Sequence, residues 1–185
     1  EVRFTHPILA ASVYEGLAAG VRRRLHARLA RVAADPEEHA RHLALAAGGP
    51  DAGVAAVLDA AALRAFTRGV PATAAELAQR ARDLTPSGDT ASRLRRTVEA
   101  GRFSFEAGDA ARSCALLEEV LAAPCPPDVA ADARNQLARI ATFTGDLRAA
   151  ARGRGGRSRR PCAWPGPWTR STSRGSCATP CSPTR

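Results

Sequence analysis

The chain has 185 residues, 4% aromatics, 27 arginines, no lysine and no methionine. That length holds one domain, or one domain with an appendage, and the missing lysine excludes a Walker A loop and Schiff-base chemistry. Residues 1–147 carry 18 arginines and 18 acids, whereas residues 148–185 carry nine arginines and no acid, so the net charge of +9 belongs to the tail and the usual step from a basic domain to nucleic acid fails.

Alanine and leucine dominate residues 7–151, which favours helices packed on small side chains over a β-sandwich. No stretch reaches 18 apolar residues, so no membrane span is expected. The start, Glu1-Val2-Arg3-Phe4, lacks the pattern of a signal peptide. A chain without an initial methionine is expected to be a piece of something longer. The five cysteines are scattered and form no C-x-x-C pair, so reduced thiols and a cytoplasmic location are expected.

Residues 2–5 read as extended. A first helix should begin near Thr5–Pro7, with Ile8, Leu9, Val13 and Leu17 on one face. Gly16 and Gly20 flank a break. The second helix carries Val21, Leu25, Leu29 and Val32 at helical spacing. Its other face holds Arg22, Arg23, Arg24, Arg28 and Arg31, read as a solvated surface. Asp35-Pro36 ends it. Glu37 and Glu38 then fall in the first turn of a third helix, complementing its dipole, and that helix runs to Gly48-Gly49-Pro50.

From Asp51 the pattern repeats. Gly69, Gly108 and Gly145 recur, and small or apolar residues follow in register, as at Ala75 and Cys114, Ala81 and Val120, and Leu84 and Ala123. Small residues at fixed places let antiparallel helices approach closely. The expected pairs are 52–68 with 71–84, 90–107 with 110–122, and 129–144 with a partner that should start at Asp146. The fold expected is therefore all-α: antiparallel helical hairpins stacked as a TPR-like solenoid. Three regions follow: an arm over 1–50, repeats over 51–147, and a tail over 148–185.

The last partner helix breaks off after Leu147-Arg148-Ala149-Ala150-Ala151-Arg152. Residues 148–185 contain no Leu, Ile, Val or Phe but both tryptophans, five prolines and three cysteines. Such a segment cannot bury enough apolar surface to offset its ordering entropy and reads as disordered. GC-rich DNA read out of frame yields this composition. A frameshift near codons 148–152 is the expectation it raises.

Few residues suggest chemistry. No G-x-S-x-G elbow occurs. His39 and His42 are spaced to share a helix face, but no third metal ligand accompanies them, so no metal site is expected. His26, between Leu25 and Leu29, reads as packing. Arg152-Gly153-Arg154-Gly155-Gly156-Arg157 is an RGG-type tract, and RNA binding through the Arg-rich tail stays open as an alternative. No catalytic residue is expected.

The string Phe4-Thr5-His6-Pro7-Ile8-Leu9-Ala10-Ala11-Ser12-Val13-Tyr14-Glu15-Gly16-Leu17, then Arg23-Arg24-Leu25-His26 and Ala40-Arg41-His42-Leu43-Ala44, resembles the large ATP-binding regulators of the LuxR type, which are STAND-class ATPases. The resemblance covers residues 1–147. It implies the end of a winged-helix segment followed by TPR-like repeats, in a parent that couples ATP and an inducer to transcription. It also implies that His6 senses the phosphates of ATP or ADP bound by the parent, although Pro7 stands where some relatives carry Asp. The ATPase module and the helix-turn-helix lie outside this sequence, so the chain itself is expected to hold no cofactor and to bind no DNA. Its partners would be a protein or small-molecule inducer on the repeats, without a membrane. The alternative is a TPR-type scaffold with no nucleotide link.

Overall fold

A computed structural model describes the backbone of residues 7–145 and the side chains of residues 11–145. Eight helices and no strand occur among them: α1 (Pro7–Glu15), α2 (Ala19–Val32), α3 (Pro36–Ala46), α4 (Ala52–Thr67), α5 (Pro71–Asp83), α6 (Thr90–Glu106), α7 (Ala110–Ala122) and α8 (Pro127–Thr144). The expected tail at 148–185 lies outside the described residues.

Local chemistry sets the helix boundaries. Asp35, Asp51, Asp89 and Asp109 cap α3, α4, α6 and α7 by accepting backbone N–H groups of the first turn. Proline opens α3, α5 and α8, where its missing N–H costs nothing. Gly69 and Gly108 follow α4 and α6 with φ of 81° and 88°. There the N–H of Val70 reaches back to Ala65, and that of Asp109 to Ser104. These are Schellman turns, which need the left-handed conformation that glycine adopts without strain. Gly145 sits in the same conformation after α8, with φ of 75°.

Consecutive helices pack on one another from α2 to α8. The Asp51 N–H bonds the Leu84 carbonyl, joining the start of α4 to the end of α5. Two clusters fill the interior. Leu58, Leu77 and the alanines of α4 and α5 form the first, with Ala40 of α3 and Phe103. Leu94, Val98, Leu117, Val120, Val129 and Ile140 form the second. Alanine's prevalence in the first cluster lets the helix backbones approach closely.

Alternate helices are tied by arginine. Arg41 of α3 reaches Glu76 of α5, and Arg96 of α6 reaches Asp59 of α4. Arg112 and Glu119 of α7 meet Gln79 and Arg82 of α5. Arg139 of α8 meets Glu106 of α6. In each of these pairs the partners lie 33 to 37 residues apart. Phe66 of α4 also meets Phe103 of α6, with ring centroids 5.0 Å apart. Contacts ascend together along both members of a pair, so α4 runs parallel to α6, and α5 to α7.

Two details depart from the sequence reading. α2 turns His26 and Ala30 inward, while Leu25, Leu29 and Val32 are exposed, Val32 at 77%. Small Ala30 and Ala40 allow α2 close to α3, and the apolar stripe then faces away from that contact. Glu37 does not simply decorate a first turn. It is 5% exposed and pairs with the Arg68 guanidinium at 2.9 Å, because the end of α4 comes back beside the start of α3.

Ser104 is 1% exposed and its hydroxyl has no partner among the described residues. A buried unpaired hydroxyl costs stability, and alanine also suits a helix better than serine. Ser104→Ala should therefore raise unfolding stability by about 1 kcal/mol, read by urea denaturation. A loss of stability would show that the hydroxyl has a partner in solution.

Candidate functional site

A concave feature lies where α8 ends. A cleft of about 440 Å³ is lined by Phe105, Gly108, Asp109, Ala110, Arg139 and Phe143, among others. Its position follows from the turn chemistry. Gly108 swings the chain from α6 into α7, and the last turn of α8 carries Phe143 past Phe105 in an edge-to-face contact at 5.7 Å. Phe143 is 78% exposed, because nothing described packs beyond it.

The cleft's polar groups are already engaged. Glu106 accepts from Arg139 at 2.8 Å, and the same guanidinium lies 5.7 Å from the Phe105 ring centroid. Asp109 spends its carboxylate on the Arg112 N–H as a helix cap. What remains is an apolar floor with a charged rim, suited to receiving an aliphatic or aromatic side chain. At helical spacing Phe143 shares a face of α8 with Val129, Ala133, Leu137 and Ile140. The structure buries Val129, Ala133 and Ile140 and leaves Phe143 in solvent. An apolar cleft with Phe143 exposed should pair copies of the chain at high concentration, and Phe143→Ser should cost the folded monomer only about 0.5–1 kcal/mol but reduce that association. Sedimentation velocity across a concentration series would record this, and unchanged association would remove the cleft from consideration.

The histidines form the second cluster. His26 is 8% exposed. The Tyr14 hydroxyl lies 2.7 Å from its Nε2, and its Nδ1 lies 3.0 Å from His42 Nδ1. His42 Nε2 lies 3.7 Å from the Glu38 carboxylate. His39, expected to share a face with His42, instead bonds the Ala30 carbonyl at 2.7 Å. No local pattern marks the pairing of His26 with His42, since their helices meet only on folding. Among the described residues no group of three or more His, Cys, Asp or Glu is placed to hold a metal. Burial, and then the neighbouring His42, hold the His26 pKa below the ordinary 6.5. Burial also pushes the Asp59 carboxyl up, against the pull of Arg96.

The remaining sequence candidates divide. His6, the RGG tract and Cys162, Cys177 and Cys181 lie outside the described residues. Cys114 is buried and Cys125 half-buried, and no disulfide joins them. On α2, Arg23, Arg24, Arg28 and Arg31 are exposed, and Arg22 bonds the Glu15 carbonyl and lies over the Tyr14 ring. No described helix is long and apolar enough to cross a membrane. No family model, curated protein or solved structure matches this chain.

Proposed function

We propose that this chain is a non-catalytic helical-repeat arm, a TPR-like solenoid that presents docking surface to a protein or small-molecule inducer. The observation that carries the reading is the register of its cross-helix pairs. Helices two apart are bridged at a nearly constant spacing of 33 to 37 residues, and nearest-neighbour stacking at a fixed period is what defines such arrays. The terminal cleft, apolar and with its charges internally paired, supports docking over catalysis.

The parent we propose is an ATP-dependent LuxR-type regulator, on the strength of the resemblance over residues 4–45. In that setting ATP or ADP is held by the parent's ATPase module and His6 senses its phosphates. The repeats transmit inducer binding to that module. A plain TPR-type scaffold shares the docking role without the nucleotide, and the engaged polar groups of the cleft fit it equally.

Genomic DNA around the gene separates the two. The regulator reading expects a Walker A module encoded just upstream and a helix-turn-helix downstream in the shifted frame. It also expects a one-base-shifted reading of codons 148–185 to give an Ala/Leu-patterned helix. Flanking DNA with neither module contradicts the regulator, and a shifted frame without a helical pattern contradicts the frameshift.

A further inference from the structure

We propose that Tyr14, His26 and His42 form an acid-released latch that holds α1 against the α2–α3 hairpin. The cluster takes one residue from each of three helices. Tyr14 meets His26 edge-on, with ring centroids 5.7 Å apart, and His26 stacks on His42 at 5.1 Å. α1 is tied down here, through the Tyr14 hydroxyl and through Arg22, which donates to the Glu15 carbonyl at 3.1 Å. Residues 11–16 are otherwise exposed.

Proton bookkeeping shows why the cluster is sensitive to acid. One arrangement of neutral rings satisfies every ring nitrogen. The Tyr14 hydroxyl donates to His26 Nε2, His26 Nδ1–H donates to His42 Nδ1, and His42 Nε2–H points at Glu38. A proton added to His26 disturbs this arrangement. It places a charge on a ring that is 8% exposed and stacked 5.1 Å from His42, and the new Nε2–H points at the Tyr14 hydroxyl, which must stop donating 2.7 Å away.

The groups facing His26 from its surroundings add to this. Tyr14 faces it from α1 and His42 from α3, with Glu38 beyond His42. On its own helix the Arg22 cation lies 5.6 Å from the Tyr14 ring centroid. Only Glu38 favours added charge, and it sits on the exposed side of His42, with its side chain 59% accessible.

The sign follows from His26. Burial foremost, and then His42, lower its pKa in the docked state below 6.5. Released, it returns toward that value, so the released state binds more protons. Docking is therefore fully stable above the ordinary histidine value and weakens as pH falls below it toward the lowered one. The latch acts on α1 irrespective of what the arm binds.

The test uses the full chain and proton NMR. Tyr14 is the single tyrosine and there are four histidines, so both kinds of ring signal are countable. As pH falls from about 7.5 to about 5, the Tyr14 ring signals should move to their solvent-exposed positions. Amide exchange in α1, corrected for intrinsic rates, should accelerate over the same range. His26→Gln keeps a hydrogen-bonding side chain beside Tyr14 and cannot titrate, so both changes should vanish. If His26→Gln fails to fold by circular dichroism, His42→Gln keeps an acceptor for His26 and should blunt them. Tyr14 signals that stay fixed in the wild type, or that move with an unchanged pH profile in a folded glutamine variant, overturn the latch.

Discussion

Leu117→Ala should lower the free energy of unfolding by about 3–5 kcal/mol, a large effect for a single truncation. Leu117 is fully buried in the second cluster, with Leu94, Val98 and Val120. Its side chain lies directly over Gly101 of α6. Removing it leaves a cavity between two helices that already meet at backbone distance, with the Ser113 hydroxyl bonded to the Gly101 carbonyl at 2.6 Å. The site has little room to collapse, and a cavity that cannot collapse costs the upper part of the range. Total stability of a domain this size is about 5–15 kcal/mol, so urea unfolding would show a midpoint displaced by a large fraction. A change below about 1 kcal/mol would mean that α6 and α7 do not approach as described.

Gly101→Val should cost about 2–3 kcal/mol through the same contact from the other side. A Cβ at Gly101 would stand 3.1 Å from Leu117 Cγ and 3.2 Å from its Cδ2. Those atoms belong to a buried side chain with nowhere to swing, and valine adds two further methyl groups. Glycine inside a helix is unfavourable by roughly 0.5–1 kcal/mol against alanine, so its presence here reflects close packing. The two sites are in contact and must couple. In the double variant, Gly101→Val with Leu117→Ala, the new methyls enter the space that Leu117 vacated. The combined loss should fall short of the sum of the single losses by at least about 1 kcal/mol, measured from the four urea curves of the cycle. Additive losses would separate the residues.

Much of the helical architecture was legible because its determinants are local. Aspartate caps, opening prolines and the glycines at 69, 108 and 145 punctuate the sequence at the helix ends. The expected spans 52–68, 71–84, 90–107 and 110–122 agree with α4 to α7 within a residue at each end. The last helix begins at Pro127 rather than 129, since proline is admitted to the first turn. What escaped the sequence depends on which face meets a neighbour. For α2, periodicity favoured the Leu25–Leu29–Val32 stripe as the inner face, yet contact with α3 selected Ala30 and His26. Size mattered more than hydropathy there. Glu37 looked like a first-turn acid because its partner, Arg68, comes from a helix beyond the intervening turn.

The candidate sites were less legible for the same reason. His39 and His42 invited pairing by their spacing along one helix. In the fold, His42 turns to a histidine 16 residues away and His39 to a backbone carbonyl. Phe143 shares the spacing of the apolar face of α8, yet no described residue packs beyond it. The cleft beside it depended on where the turn at Gly108 sets Phe105.

Alternate helices stack in parallel at a fixed repeat, and nuclear Overhauser contacts between phenylalanine rings in solution report on that stacking. The stack predicts a strong contact between Phe66 and Phe103, whose ring centroids lie 5.0 Å apart, and a second between Phe105 and Phe143 at 5.7 Å. Both pairs join helices two apart in the chain. Finding both supports the repeat from α4 to α8. Helices that form without either contact would contradict the stacking.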